Sequence, residues 1–217
     1  MAASLVLIRH GETPWNAAGR LQGVIDIELS AHGHWQAQRV ATQLKAEPIA
    51  AVISSDLARA AQTAAPLAAA LGLEVELEPR LRERNYGIFE GKTYAELAST
   101  HPEEWARHQA REVDWVVPGG ESIGAVRDRV LAALAELALR YEGSSLAVVA
   151  HGGVLDVIYR AATGFPWQAQ RTHALPNAGI NRLRLSSAPL KLDVLAWGDV
   201  AHLAAAESIA RDELRVV

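Results

Sequence analysis

Four stretches of this 217-residue chain set reactive side chains directly after short apolar runs that read as β-strands. Arg9-His10-Gly11 follows residues 4–8, and Arg59 stands just beyond Ser54-Ser55, where the run 51–54 ends. Glu83 comes after 74–77, and His151-Gly152 after 146–150. In an open α/β sheet the carboxyl ends of parallel strands gather at one edge, and ligands bind where the strand order reverses. Fold logic alone therefore brings two histidines, two arginines and a carboxylate into one crevice.

That inventory suits phosphoryl transfer without a metal. A guanidinium offers a fixed fork of donors that grips phosphate oxygens in pairs and keeps its charge at working pH. Arg9 and Arg59 are the residues for that task. A neutral imidazole can attack phosphorus and carry the group covalently, which splits one hard displacement into two easier ones. The departing alkoxide then needs a proton, and a positioned carboxylic acid can donate it.

The elements that must hold these groups are legible as a period. Strand-length apolar runs alternate with longer Ala- and Leu-rich stretches of helical spacing, the most regular being 31–46, 57–71 and 122–141. Gly72 and Gly143 stand where a helix C-terminus favours a left-handed residue. The alternation predicts an α/β fold, a three-layer sandwich with a mostly parallel central sheet and helices on both faces. Residues 180–185 and 190–197, joined by a tight turn over 186–189, predict an antiparallel addition at the sheet edge. Residues 80–120 break the rhythm with Tyr86, Phe89, Tyr94, Trp105 and Trp115 among polar residues and glycines, and predict a small, partly helical cap inserted over the crevice. No repeat, low-complexity tract or linker argues for a second domain, so residues 1–217 read as one.

Bulk composition narrows the partners. Half the residues are hydrophobic, enough for a sizeable core, and a formal net charge of -4 offers no basic face to a nucleic-acid backbone or an anionic membrane. No apolar run approaches the roughly 20 residues of a membrane-spanning helix and no leader pattern opens the chain, so a cytoplasmic location is expected. The chain has no cysteine, which excludes disulfides, thiolate metal sites and thiol-based phosphatases. No cofactor or metal is expected. His32 and His34, two residues apart on a helix, point to different sides and are expected to be solvated, as are His101 and His108. Asp199 and His202 have a ligand-like spacing but lack a third ligand.

Six segments, in order, carry a resemblance to a known family: LVLIRHGETPWN at 5–16, RLQGVIDIELSAHG at 20–33, SSDLARAAQTA at 54–64, LRERNYGIFEG at 81–91, PGGES at 118–122 and VVAHGGVL at 148–155. Together they resemble the histidine phosphatase superfamily, the group of cofactor-dependent phosphoglycerate mutases and many small-molecule phosphatases. The resemblance implies His10 as nucleophile, Arg9, Arg59 and His151 as ligands of the transferring phosphoryl group, and Glu83 as proton donor and later acceptor. It also puts Asn16, Gln22 and Gly23 near the phosphate and Tyr86 in the acid-bearing loop beside the substrate. The N–H of Gly152, at the start of a helix, would add a donor for an anion. Glu90 falls in a packing turn, and the ending from Trp197 to Leu203 resembles some phosphatase branches, with packing as its expected role.

The implied activity is hydrolysis of a small phosphorylated metabolite through a phosphohistidine. A phosphoglycerate mutase is the nearest alternative, because Arg84-Asn85-Tyr86-Gly87 partly resembles its loop. The shorter chain and the Gly-Gly-Val after His151, where mutases typically have Asn-Ser, favour the phosphatase. A non-catalytic phospholigand-binding protein would be expected to lack His10 or Glu83, and both are present. A homodimer is compatible with the sequence.

Overall fold

In the computed structural model, which describes residues 2–187 and 189–204, the chain runs β1 (Ala3–Arg9), α1 (Pro14–Ala17), α2 (Ala31–Leu44), β2 (Ile49–Ser54), α3 (Ala58–Leu71) and β3 (Val75–Leu77). It continues with α4 (Tyr94–Thr100), α5 (Pro102–Gln109), α6 (Ile123–Arg140), β4 (Ser145–Ala150), α7 (Gly152–Thr163), β5 (Ile180–Ser187) and β6 (Leu190–Asp199). The strands form one sheet in the order β3-β2-β4-β1-β5-β6. β1, β2, β3 and β4 are mutually parallel, while β5 runs antiparallel to both β1 and β6. The expected antiparallel addition is thus a pair of strands, and Ala188 in the turn between them lies outside the described residues.

The period of two along the central strands builds the layers. Leu5 and Leu7 of β1, Ile53 of β2 and Val148 of β4 face α6 and α7, where Val130, Leu134, Leu155 and Ile158 complete one core. Val6, Ile8, Val52 and Val149 face the other way, against Val40 and Leu44 of α2 and Ala60, Ala64 and Leu67 of α3. Strands apolar on both faces are what a sheet covered on both sides requires. α2 starts on Ser30, whose hydroxyl accepts from the Gly33 N–H, and α3 stops on Gly72, left-handed at φ 66°. Gly143 is also left-handed, at φ 75°, and follows the Tyr141 cap of α6. Among the described residues no helix is long and apolar enough to cross a membrane.

The segment read as a cap folds around a small core of its own, with Phe89, Leu97 and Val117 buried and Trp105 and Trp115 packed against them. Its base is tied to the 20–24 segment: Leu21 N–H donates to Lys92, Gly91 N–H to Leu21, and Arg20 to the Gly91 carbonyl at 2.6 Å. Trp197 has the expected packing role, edge-on to Tyr159 with its indole N–H donating to Ala174 at 2.9 Å.

One contact couples this scaffold to the reactive loop. The loop after β1 lies on the first turn of α2 so closely that a Cβ on Gly11 would sit 2.7 Å from the Gly33 carbonyl, and a Cβ on Gly33 would overlap the Glu12 carbonyl. Ser30 N–H donates to that same Glu12 carbonyl, and the Glu12 N–H to Gln36 at 2.8 Å. Gly33→Ala must push helix and loop apart, since the atom that the new Cβ meets is the backbone carbonyl oxygen of Glu12. It should cost about 1–3 kcal/mol of stability and also depress activity, read by thermal melting and a generic aryl phosphate assay. A melting temperature and turnover equal to wild type would contradict the coupling.

Candidate active site

Register explains why the two histidines meet. β1 and β4 are neighbours with Arg9 opposite Ala150, so the next residues, His10 and His151, leave the sheet side by side with ring centroids 5.1 Å apart. The loop after β1 is pinned on every side: His10 N–H donates to Ala150, Gly11 N–H to the Thr63 hydroxyl at 2.9 Å, and Asn177 Nδ2 to the His10 carbonyl at 3.0 Å. His10 Nδ1 lies 2.7 Å from the Gly11 carbonyl. A carbonyl can only accept, so Nδ1 carries the proton and Nε2 keeps its lone pair. Burial, then Arg9 and Arg59, hold the His10 pKa well below the ordinary histidine value, so the ring is neutral at pH 7. His151 is fully buried behind it with Nε2 2.8 Å from the Ser55 hydroxyl and Nδ1 without a partner. Its pKa is likewise held well below the ordinary value, chiefly by burial and then by Arg59.

The two guanidiniums are fixed by backbone carbonyls rather than carboxylates. Arg59, fully buried near the start of α3, donates through Nη1 to Ile25 at 3.0 Å and Nη2 to Gly23 at 2.7 Å, while Nε has no partner. Arg9 donates through Nη1 to the Leu175 carbonyl, and its buried Nε is also unpartnered. Burial lowers both pKa values, but a guanidinium stays charged at working pH. Buried donors without partners are costly, and several converging on one point describe a place for an anion.

Glu83 closes the inner site from the opposite wall, where Oε1 accepts from the Arg84 N–H at 2.8 Å and Oε2 from the Gly153 N–H at 2.9 Å. The second bond uses the N-terminus of α7 to hold the carboxyl group, and a side chain at residue 153 would overlap Oε1. The Glu83 backbone is braced from α6 by Arg129, which donates to the carbonyls of Arg80, Arg82 and Glu83.

Arg9, His10, Asn16, Gln22, Gly23, Arg59, Glu83, Tyr86 and Gly152 all line one cavity of about 840 Å³. His151 does not line it and stands immediately behind His10. Asn16 takes part with its Oδ1 committed, accepting from the Thr13 N–H at 3.1 Å and from Asn177 at 3.2 Å. Tyr86 stands near Gly153, and burial followed by the Glu83 charge pushes its phenol pKa up. Glu90 takes the packing role, accepting from the N–H groups of Val24 and Tyr86. His108 corrects the sequence reading: it is not solvated but lines the cavity, stacked on Trp105 with centroids 5.1 Å apart and Nδ1 buried. The apolar faces of Trp105 and Phe89 give that imidazole a place out of water. Sequence reasoning also missed Ser55, Gly153 and Asn177, which act through loop geometry. The Gly152-Gly153 pair was the one local signal among them.

Comparison with known proteins places this geometry. The profile of the histidine phosphatase superfamily, branch 1, matches residues 5–198. Phosphoglycerate mutase-like protein 4 of Arabidopsis thaliana is 40% identical over 204 residues, covering 93% of this chain and 87% of that protein. A metal-independent phosphoserine phosphatase of the same plant is 39% identical over 210 residues, covering 95% and 86%. Among solved structures, the Entamoeba histolytica phosphoserine phosphatase in complex with 3-phosphoglyceric acid superposes with a TM-score of 0.81 at 28% identity, covering 93% of this chain and 99% of that one.

The buried neutral imidazoles set a pH dependence of stability. Because the folded-state pKa values of His10 and His151 lie below the unfolded value of about 6.5, the unfolded chain binds protons first on acidification. Stability is therefore fullest above that pH and falls below it, by about 1.4 kcal/mol per pH unit for each such histidine. Melting temperatures between pH 8 and 5 should decline, and His10→Gln should decline less steeply. Parallel curves for the two proteins would refute a depressed His10 pKa.

Proposed function

The chain belongs to branch 1 of the histidine phosphatase superfamily, and from that premise we propose that it hydrolyses small phosphomonoesters without a metal by passing the phosphoryl group to His10 and then to water. The observation that carries the proposal is the His10 ring itself: Nδ1 is bound to the Gly11 carbonyl, so Nε2 is an unprotonated nucleophile beside Arg9 and Arg59. We take residues 1–217 as one catalytic unit with the 80–120 segment as its cap.

In the first step Nε2 attacks phosphorus, the phosphoester bond breaks, and Glu83 gives its proton to the departing alkoxide. In the second, the Glu83 carboxylate takes a proton from water, the water oxygen attacks phosphorus, and the bond to Nε2 breaks. Free phosphate and neutral His10 remain. Arg9 and Arg59 line the cavity and hold the charge of the transferring group throughout, as donors that need no reorganisation as charge develops, while His151 stands behind His10 and backs its ring. Asn16, Gln22, Gly23 and the Gly152 N–H complete the inner wall, and Tyr86 begins the wall for the leaving group.

A mutase would use the same phosphohistidine but must shield it from water. Here the cavity mouth includes the exposed Tyr94 and Arg171, which favours hydrolysis. The partner supported by the chemistry and the comparisons is a small phosphorylated metabolite, and nothing in the charge pattern invites nucleic acid.

Phosphate release from nitrophenyl phosphate should survive exhaustive chelation and disappear in His10→Ala. Restoration of a chelated enzyme by a divalent ion would contradict the mechanism. Glu83→Gln keeps size and polarity but cannot donate a proton. It should slow alkyl phosphates by about 10²–10⁴-fold and nitrophenyl phosphate, whose leaving group needs no proton, far less. Equal losses on both would remove Glu83 from the role of acid.

A further inference from the structure

Glu83 stands in a stretch that has no regular structure to hold it. After β3 the chain makes a single turn of 3-10 helix over Pro79–Leu81, and residues 82–86 belong to no helix or strand. Backbone groups in such a segment must find partners elsewhere. Here they find two side chains at the start of one helix: Glu121, which immediately precedes the Ser122 N-cap of α6, and Arg129 on its second turn. Arg129 commits every donor of its guanidinium. Nη1 donates to the carbonyls of Arg80 at 2.6 Å and Arg82 at 2.8 Å, Nη2 to that of Glu83 at 3.1 Å, and Nε and Nη2 to the two carboxylate oxygens of Glu121 at 3.0 and 3.1 Å. Glu121 completes the clamp. Its Oε2 also accepts from the Asn85 N–H at 2.9 Å, its own N–H donates to the Asn85 carbonyl at 2.9 Å, and its carbonyl accepts from Arg84 Nε at 2.8 Å.

An exposed ion pair contributes little and fixes nothing. This one is partly buried, both carboxylate oxygens meet the guanidinium fork, and the remaining donors reach three carbonyls within residues 80–83. α6 is itself anchored, with Val126, Val130 and Leu134 buried in the core, so the loop is tied to a rigid element. The clamp fixes the backbone from which the Glu83 side chain projects, and the N–H groups of Arg84 and Gly153 fix its tip. Neither Arg129 nor Glu121 lines the cavity, so neither touches a phosphomonoester held there.

We propose that Arg129 and Glu121 are positioning residues for proton donation: they hold Glu83 where its proton reaches the leaving-group oxygen, and their loss is felt by the leaving group rather than by the phosphate. The inference rests on the reading of Glu83 as the acid. Phosphate binding and attack use Arg9, His10 and Arg59, which are placed by β1, the loop after it and α3, outside the clamp. Proton transfer needs alignment, and a displacement of about 1 Å can cost about 10²-fold, whereas a nitrophenolate departs without the proton. Lysine cannot replace Arg129, because one ammonium keeps the charge but not the planar fork that spans the loop carbonyls and the carboxylate.

The test measures kcat/KM for glycerol 3-phosphate and for nitrophenyl phosphate in wild type, Arg129→Lys, Glu121→Gln, Glu83→Gln and the double variant Glu83→Gln with Arg129→Lys. The ratio of alkyl to aryl values should fall about 10- to 100-fold in Arg129→Lys and in Glu121→Gln. Because both values come from one preparation, a loss of folded protein lowers them together and leaves the ratio unchanged. In the double variant the ratio should equal that of Glu83→Gln alone, since a clamp that acts through the carboxyl group then has no proton to place. A ratio unmoved in Arg129→Lys and Glu121→Gln, while Glu83→Gln lowers it, would overturn the positioning role and leave the acid in place. A further fall in the double variant would overturn action through Glu83. Equal losses on both substrates in Glu83→Gln would overturn the acid itself, and a wild type that releases phosphate from neither substrate would overturn the hydrolase reading.

Discussion

When Nδ1 of His10 donates to the Gly11 carbonyl, the ring can settle in only one orientation and its Nε2 must face the cavity with a free lone pair. The bond is possible because the backbone of residues 10–12 turns tightly off β1, and that turn is held by groups distant in sequence. Thr63 takes the Gly11 N–H, Asn177 donates to the His10 carbonyl, and Gln36 takes the Glu12 N–H. The mutual backbone approach of Gly11 and Gly33 leaves no room for a side chain at either position. The nucleophile is thus a product of the sheet edge and of the two helices packed beneath it, α2 and α3.

Electrostatics follow from the same placement. Two neutral imidazoles stand among two buried guanidiniums that no carboxylate within ion-pair distance neutralises among the described residues. Such a cluster is tolerable because carbonyls hold Arg9 and Arg59, and because the N-terminus of α7 and the Arg84 N–H hold Glu83 opposite them. An incoming phosphoryl group supplies the missing negative charge. Its binding stabilises what folding alone leaves unsatisfied, which is how a preorganised site meets developing charge without rearrangement.

The central strands β1, β2 and β4 were legible because they are apolar on both faces, and the long helices because their apolar period is unbroken from Ala37 to Leu44 and from Val126 to Leu137. Arg9, His10, Arg59 and His151 were legible because each ends or directly follows a strand or opens the helix behind it, and Glu83 because it comes in the segment after β3. Ser55, Asn177 and Arg129 were not, since each acts by bonding a backbone or side chain far away in sequence, which no local pattern records, and for Gly153 only the Gly152-Gly153 pair gave a local hint. His108 was misread for a related reason: apart from Trp105, three residues before it on the same helix, its neighbours on α5 are mostly polar, and the packing of Phe89 across that face helps take it out of water.

The account stands most directly on where the phosphate goes. Wild-type enzyme quenched during turnover of a radiolabelled phosphomonoester should carry an acid-labile, base-stable label on residue 10, and peptide mapping with NMR should assign it to Nε2 of that imidazole. Phosphate on Nδ1 would contradict the Gly11 tautomer lock, and an acid-stable phosphoserine or the absence of any covalent species under rapid quench would contradict the histidine mechanism altogether.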